Sequence, residues 1–187
     1  MRIISGFLKG KKIEFLKSTI TRPLRDFVKE STFNVIKHSK LINVPLENAN
    51  ILDLYSGVGS FGIECISRGA KRTTFVEKDR NALEILKKNI EQLKIKEKSY
   101  IFEVKIISFF NQLNKNNKYE IIFFDPPFSD KFFIDELKSI RDKKIYDENH
   151  LIILHRESGT NDEINNFLQT IITKDYGKSK ITFGKFF

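Results

Sequence analysis

Cysteine is almost missing from this chain: a single thiol, Cys65, allows neither an internal disulfide nor a cysteine-rich zinc site. Cys65 falls in a helical pattern behind a glycine loop, where a small core residue is expected. Histidine is scarce too. His38, His150 and His155 are too scattered to build a metal centre and are read as structural or surface residues, so no metal is expected. No apolar run reaches the roughly 20 residues of a membrane span, and residues 1–20 lack the apolar core of a signal peptide. A soluble, cytoplasmic protein is therefore expected. Internal repeats and low-complexity segments are also lacking.

Acidic residues are in deficit, with 24 Asp and Glu against 33 Lys and Arg for a formal charge of +9. The imbalance is local. Residues 1–48 carry Arg2, Lys9, Lys11, Lys12, Lys17, Arg22, Arg25, Lys29, Lys37 and Lys40 against Glu14, Asp26, Glu30 and Glu47, which is +6 of the total. A basic amino-terminal quarter points to a polyanionic partner. The 187 residues suit one domain with a proper core, with room for a short appendage.

Gly6 and Gly10 punctuate two short apolar segments, Arg2–Ser5 and Lys11–Phe15, which read as a hairpin with a basic turn. Thr21-Arg22-Pro23 precedes an amphipathic helix over Leu24–His38. Its apolar positions are Phe27, Val28, Ser31, Val35 and Ile36, with Arg25, Lys29 and Lys37 on the outer face. From Asn50 onward strands and helices alternate: strands at 50–54, 72–76, 99–106, 119–124 and 151–155, and a helix over 81–93 capped by Asp79. A hairpin over 170–176 and 180–186 closes the chain. This pattern predicts a mostly parallel sheet covered on both faces, with antiparallel strands at one edge.

Two stretches carry chemistry. Gly57, Gly59 and Gly62 form G-x-G-x-x-G after the first strand, and Glu77 stands 20 residues after Gly57. That is also a dinucleotide-binding fingerprint, with pyrophosphate on the helix N-terminus. Asp53, four residues before the first glycine, would repel a pyrophosphate and welcome a cationic group. The second stretch is Asp125-Pro126-Pro127-Phe128, directly after the fourth strand. Neither proline can donate to a sheet ladder, so the strand ends there and a carboxylate is set at its carboxyl end, the ligand-binding edge of α/β sheets. One proton acceptor, one stiffly held carbonyl at Pro126 and one aromatic ring suit a planar base bearing an amino group. The plainer alternative is a strand ending in a turn, with Asp125 capping a helix at Lys131–Ser139.

Asp53 through Glu64, Arg68-Gly-Ala70, Val76-Glu77 and Asp125-Pro-Pro-Phe128 resemble the Rossmann-like class I methyltransferases. Arg2-Ile-Ile-Ser-Gly6, Lys9-Gly10-Lys11, Thr21 through Glu30, Phe33-Asn34 and Tyr176-Gly177 narrow the resemblance to the RsmD family of bacterial 16S ribosomal RNA methyltransferases, over nearly the whole chain. The resemblance implies an α/β seven-stranded sheet with an N-terminal hairpin and helix. It also implies an RNA-facing extension over 1–40, a methyltransferase domain over 41–187, and methylation of a guanine N2 amino group using S-adenosylmethionine. Asp53, Ser56, Gly57, Gly59, Glu77 and Lys78 would hold the cofactor. Asp125, Pro126, Pro127 and Phe128 would carry catalysis, and Lys9, Lys11, Lys12, Arg22, Arg25 and Lys29 would meet 16S rRNA or the small ribosomal subunit. A monomer is expected. The chain departs from the family pattern at Leu24, usually Thr, and after the third strand, where no acid nearer than Glu103 stands for the adenine amino group. The rival readings are a DNA adenine-N6 methyltransferase, which needs a DNA-recognition region no segment supplies, a protein glutamine methyltransferase, which prefers Asn at position 125, and a non-catalytic assembly factor.

Overall fold

In the computed structural model, residues 1–15, 26–113 and 117–187 are described. Thr21, Arg22, Pro23, Leu24 and Arg25 lie outside the described residues.

The apolar runs form the sheet the periodicity predicts. Strands β1 (Asn50–Leu54), β2 (Arg72–Glu77), β3 (Ser99–Glu103), β4 (Tyr119–Phe124), β5 (Tyr146–Glu157), β6 (Leu168–Tyr176) and β7 (Ser179–Phe186) make one seven-stranded sheet in the order β3-β2-β1-β4-β5-β7-β6. The first five are parallel; β7 runs antiparallel to both β5 and β6. Because the side-chain period of a strand is two, alternate residues feed opposite faces. Leu52, Leu54, Ile122 and Phe124 pack with α4 (Ile106–Gln112) and α5 (Phe133–Lys143). Ile51, Ile121 and Phe123 pack with α1 (Asp26–His38) and α2 (Ser60–Ser67) on the other face. The third helix on that face, α3 (Arg80–Gln92), starts at the N-cap Asp79, whose side chain accepts from Ala82 N, and buries the Leu83, Leu86, Ile90 and Leu93 stripe. Cys65 is a buried core residue.

Some boundaries shift. The third strand stops at Glu103 because Lys105 opens α4, whose Ile106, Phe109 and Phe110 bury at helical spacing. Strand β5 starts five residues early, where Tyr146 pairs with Tyr119. The amino-terminal hairpin has a single antiparallel bridge, Arg2 with Lys12, flanked by the Ile3 N to Lys11 O and Ile13 N to Met1 O hydrogen bonds. A two-stranded ribbon this small needs support. Ile3, Leu8 and Ile13 supply it by packing on α2 and α3.

Lys29 and Phe27 reverse their expected positions on α1. Phe27 is exposed and meets Tyr176 edge-on, whereas Lys29 is fully buried. The charge finds its partner in Glu64, a buried acid on α2 whose Oε2 lies 3.8 Å from Lys29 Nζ. Lys29 also donates to Arg2 O at 3.1 Å, and burial holds its pKa below the ordinary lysine value against the pull of Glu64. Glu64 further accepts from Ile4 N, Ser5 N and Arg68 Nε at 2.8, 3.0 and 2.7 Å. One carboxylate therefore ties the hairpin, α1 and α2 together. Removing one partner of a buried pair strands the other charge, at about 3–5 kcal/mol. Glu64→Ala, which leaves Lys29 only the partly exposed Asp26 at 3.9 Å and strands two amides, should lose about that much in urea unfolding. Lys29→Met should cost clearly less, because Glu64 keeps Arg68 and both amides. Equal losses would contradict the Glu64 hub.

Candidate active site

Parallel pairing sets the site. Leu54 lies opposite Phe124 and Val76, so β1, β2 and β4 end level with one another. The strand ends and the loops after them are thereby gathered at one edge: the glycine loop after β1, Glu77 at the end of β2, and Asp125 after β4.

The glycine loop turns tightly through Gly59 N to Ser56 O at 2.8 Å and enters α2 with Gly59, its N-cap, in a left-handed conformation. Gly62 lies where the helix crosses the sheet. A Cβ there would sit 2.4 Å from Phe75 Cε1, 2.7 Å from Thr73 Cγ2 and 2.9 Å from Asp53 Oδ2. Glu77 Oε2 accepts from Gly57 N at 2.8 Å, and its Oε1 accepts from Lys78 N and Asp79 N at 2.8 and 2.9 Å. A carboxylate has roughly four lone-pair sites, so Glu77 is anchored yet can take a further donor. The Lys78 side chain is exposed beside it.

Asp53 departs from expectation. It is 1% exposed and lies beneath the loop, its Oδ2 accepting from Gly62 N at 2.9 Å. Burial pushes its carboxyl well above the ordinary value, Asp125 and Glu77 push the same way, and the Gly62 amide only partly opposes them. There it braces the first turn of α2 from within.

Asp125 is not a helix cap. Helix α5 starts at Phe133, and the acid at its approach is Asp130, whose Oδ1 accepts from Phe132 N at 2.8 Å. Asp125 continues the ladder past β4, its amide 3.4 Å from Leu54 O, and its side chain is 28% exposed. Residues 127 and 128 are held by the buried Arg156 of β5, whose Nη1 and Nη2 each donate at 3.1 Å to Pro127 O and Phe128 O. The guanidinium lies 4.0 Å over the Phe133 ring and 3.6 Å from Asp162. Phe128 is 38% exposed, leaving part of its ring open. Tyr55, non-glycine but at φ 59°, links the two loops: its hydroxyl meets Glu136 at 2.6 Å and Asp130 at 3.0 Å. Burial raises the pKa of both Tyr55 and Glu136.

His155 is the residue sequence reasoning missed. Its Nδ1 lies 2.7 Å from Asp125 Oδ1, so it belongs to this edge and not to a structural background. His38 is exposed, and His150 is a buried structural residue that accepts from Phe186 N at 2.9 Å. The one sequence signal available was that His155 stands at the end of the strand next to the one carrying Asp125.

The basic residues divide. Lys9, Lys11 and Lys12 are exposed, but the turn between the two arms rests on the carboxyl end of α2, where Phe7 N donates to Ser67 O at 2.9 Å. An eight-residue helix at about 1.5 Å per residue puts that contact about 12 Å from the glycine loop. Lys29, being buried, is not a phosphate contact. Glu103, the acid nearest the end of β3, is paired with Lys87. A cleft of ≈ 720 Å³ lined by Phe33, Lys37, Val44 and Arg68 shares no residue with the edge just described. Among the described residues no His, Cys, Asp and Glu cluster could hold a metal, and no helix is long and apolar enough to cross a membrane.

Gly62→Ala tests the crossing. Overpacking against strand side chains should cost about 1–3 kcal/mol of unfolding stability; no loss in a denaturant titration would show that the contact can yield freely.

The family model described as conserved hypothetical protein 95 matches residues 1–185. Ribosomal RNA small subunit methyltransferase D of Haemophilus influenzae is 35% identical over 68% of this chain and 64% of its own length, so the chain spans under two thirds of that relative. The protein of the same name from Buchnera aphidicola of Acyrthosiphon pisum is 35% identical over 83% of this chain and 77% of its own. A solved Escherichia coli structure titled as a methyltransferase superposes with a TM-score of 0.84 at 26% identity, covering 100% of this chain and 97% of that one. A nearly full-length family match, two relatives at 35% identity and one fold throughout lead to a single assignment: the chain belongs to the RsmD family of ribosomal RNA methyltransferases.

Proposed function

We propose that this protein transfers a methyl group from S-adenosylmethionine to the N2 amino group of a guanine in small-subunit ribosomal RNA. The observation that carries the reading is the half-open Asp125 carboxylate, standing level with the glycine loop on the neighbouring strand.

The residues at the loop suit the cofactor. Ser56 Oγ is buried without a hydrogen-bond partner, a state natural structures rarely leave uncompensated. Gly57 has open space where a Cβ would be. Backbone of Ser56, Gly57 and Gly59 would line the amino-acid arm, and Glu77, with Lys78 beside it, the ribose. When bound, the cofactor supplies an electrophilic methyl group.

The chain's own residues align and accept. The guanine N2 lone pair is delocalised into the ring, so the protein must mainly fix the amine in line, the proximity contribution. Asp125 accepts one N2 hydrogen and the Pro126 carbonyl the other. Phe128 stacks on the extruded base, where one stack returns about 1–3 kcal/mol against an unstacking cost of a few kcal/mol. As the N–C bond would form at the expense of the methyl–sulfur bond, with the neutral thioether leaving, the amine becomes acidic and its proton passes to Asp125. Lys9, Lys11 and Lys12, with Arg22 and Arg25, would meet RNA phosphates, and the partner is small-subunit RNA or an assembly particle containing it.

The test is transfer of labelled methyl from S-adenosylmethionine to small subunits lacking the modification, with nucleoside digestion of the product. N2-methylguanosine is expected. N6-methyladenine in DNA, with no RNA product, would overturn the substrate assignment. Asp125→Ala should abolish transfer while retaining cofactor binding by calorimetry; undiminished turnover would remove Asp125 from the chemistry. Replacing Lys9, Lys11 and Lys12 with Gln should flatten the log–log salt dependence of RNA affinity by about 0.7–0.9 per lost phosphate contact. An unchanged slope would place the RNA elsewhere.

A further inference from the structure

His155 and Asp125 reach each other across adjacent parallel strands. Phe124 pairs with Leu154, so the next residue on each strand also stands side by side. Nδ1 of the imidazole lies 2.7 Å from Asp125 Oδ1. The ring is 7% exposed and meets Phe128 edge-on at 5.3 Å between centroids. Nothing in packing alone requires an imidazole here, because Nε2 is buried without a hydrogen-bond partner. A buried polar atom left unpaired is a standing cost, and it makes sense if the other ring nitrogen has a task.

We propose that His155 is a positioning residue for methyl transfer: its Nδ1–H donates to Asp125 Oδ1 and fixes the rotation of the carboxylate, leaving Oδ2 to receive the substrate amine. The proposal rests on reading Asp125 as the acceptor for that amine. Its physical basis is the softness of the terminal torsion of an aspartate, which is broad rather than staggered. A carboxylate at a strand end would otherwise sample many orientations. Among the described residues, Oδ1 has the histidine as its side-chain partner and Oδ2 has none. Arg156, the next residue on β5, holds the Pro127 and Phe128 carbonyls. Two consecutive residues of β5 therefore fix the acceptor and the two residues after Pro126, so the end of β5 serves as a template for the reacting edge.

Three substitutions and one spectrum test this. His155→Phe keeps a ring against Phe128 but deletes the donor. It should lower kcat on the order of 10²-fold, the scale of a small misplacement, with KM for cofactor and RNA unchanged. His155→Asn, which again offers a side-chain N–H, should recover activity above the Phe variant. A purely packing role predicts the reverse order, and that order would overturn the proposal. Nitrogen-15 spectra of histidine-labelled protein should show His155 protonated at Nδ1, with the signal shifting in Asp125→Ala. A bare Nδ1 would overturn the contact itself. That spectrum needs no turnover. If the protein methylates no RNA, the functional reading fails alone and the histidine contact is still decided.

Discussion

The edge of the sheet where β1 and β4 end together is the constraint on which the site depends. Leu54 pairs with Phe124 in a parallel register and its carbonyl accepts from Asp125 N, so the glycine loop and Asp125 are adjacent whatever the intervening chain does. A one-residue slip of β1 would turn Asp53 toward the opposite face and exchange the two core-facing sets of that strand. The apolar residues forbid it: Leu52, Leu54, Ile122 and Phe124 fill one core, Ile51, Ile121 and Phe123 the other. Core packing and site geometry are therefore one requirement.

Behind that edge, polar side chains hold the loops. Asp53 braces the helix entry through the Gly62 amide, and Glu77 staples the loop through the Gly57 amide. Arg156 grips the two carbonyls of Pro127 and Phe128, just after Asp125, and Tyr55 joins the loop after β1 to the one after β4. Each is a side chain from one element satisfying another element's polar group. Strained or orphaned groups, Tyr55 at a positive φ and Ser56 Oγ without a partner, fall beside these contacts. That is where a scaffold shaped for a ligand is expected to store its irregularities.

Much of this was legible in the sequence, for a physical reason. Apolar period, the Pro126-Pro127 stop and the glycine spacing are local signals, and they located β1, β4, α3 and the two loops. What failed was pairing at a distance. Lys29 reads as an outer-face cation because its charge is visible and Glu64, 35 positions on, is not recognisable as its partner. Phe27 reads as core for the same reason in reverse. His155 looks isolated because its partner is 30 positions away. Asp53 carries the charge that suits a cation, yet strand pairing buries it, and burial raises its pKa. Sequence marks which residue types are present; burial and partner decide where each of them ends up.

The measurement that tests the central claim most directly is a crystal structure with the product S-adenosylhomocysteine bound. The ligand is expected against the loop of Ser56, Gly57 and Gly59, its ribose at Glu77 and its sulfur facing the Asp125 side of the edge, with the His155 contact intact. A ligand seated elsewhere, such as the cleft beside Phe33 and Arg68, or one whose sulfur points away from Asp125, would contradict it.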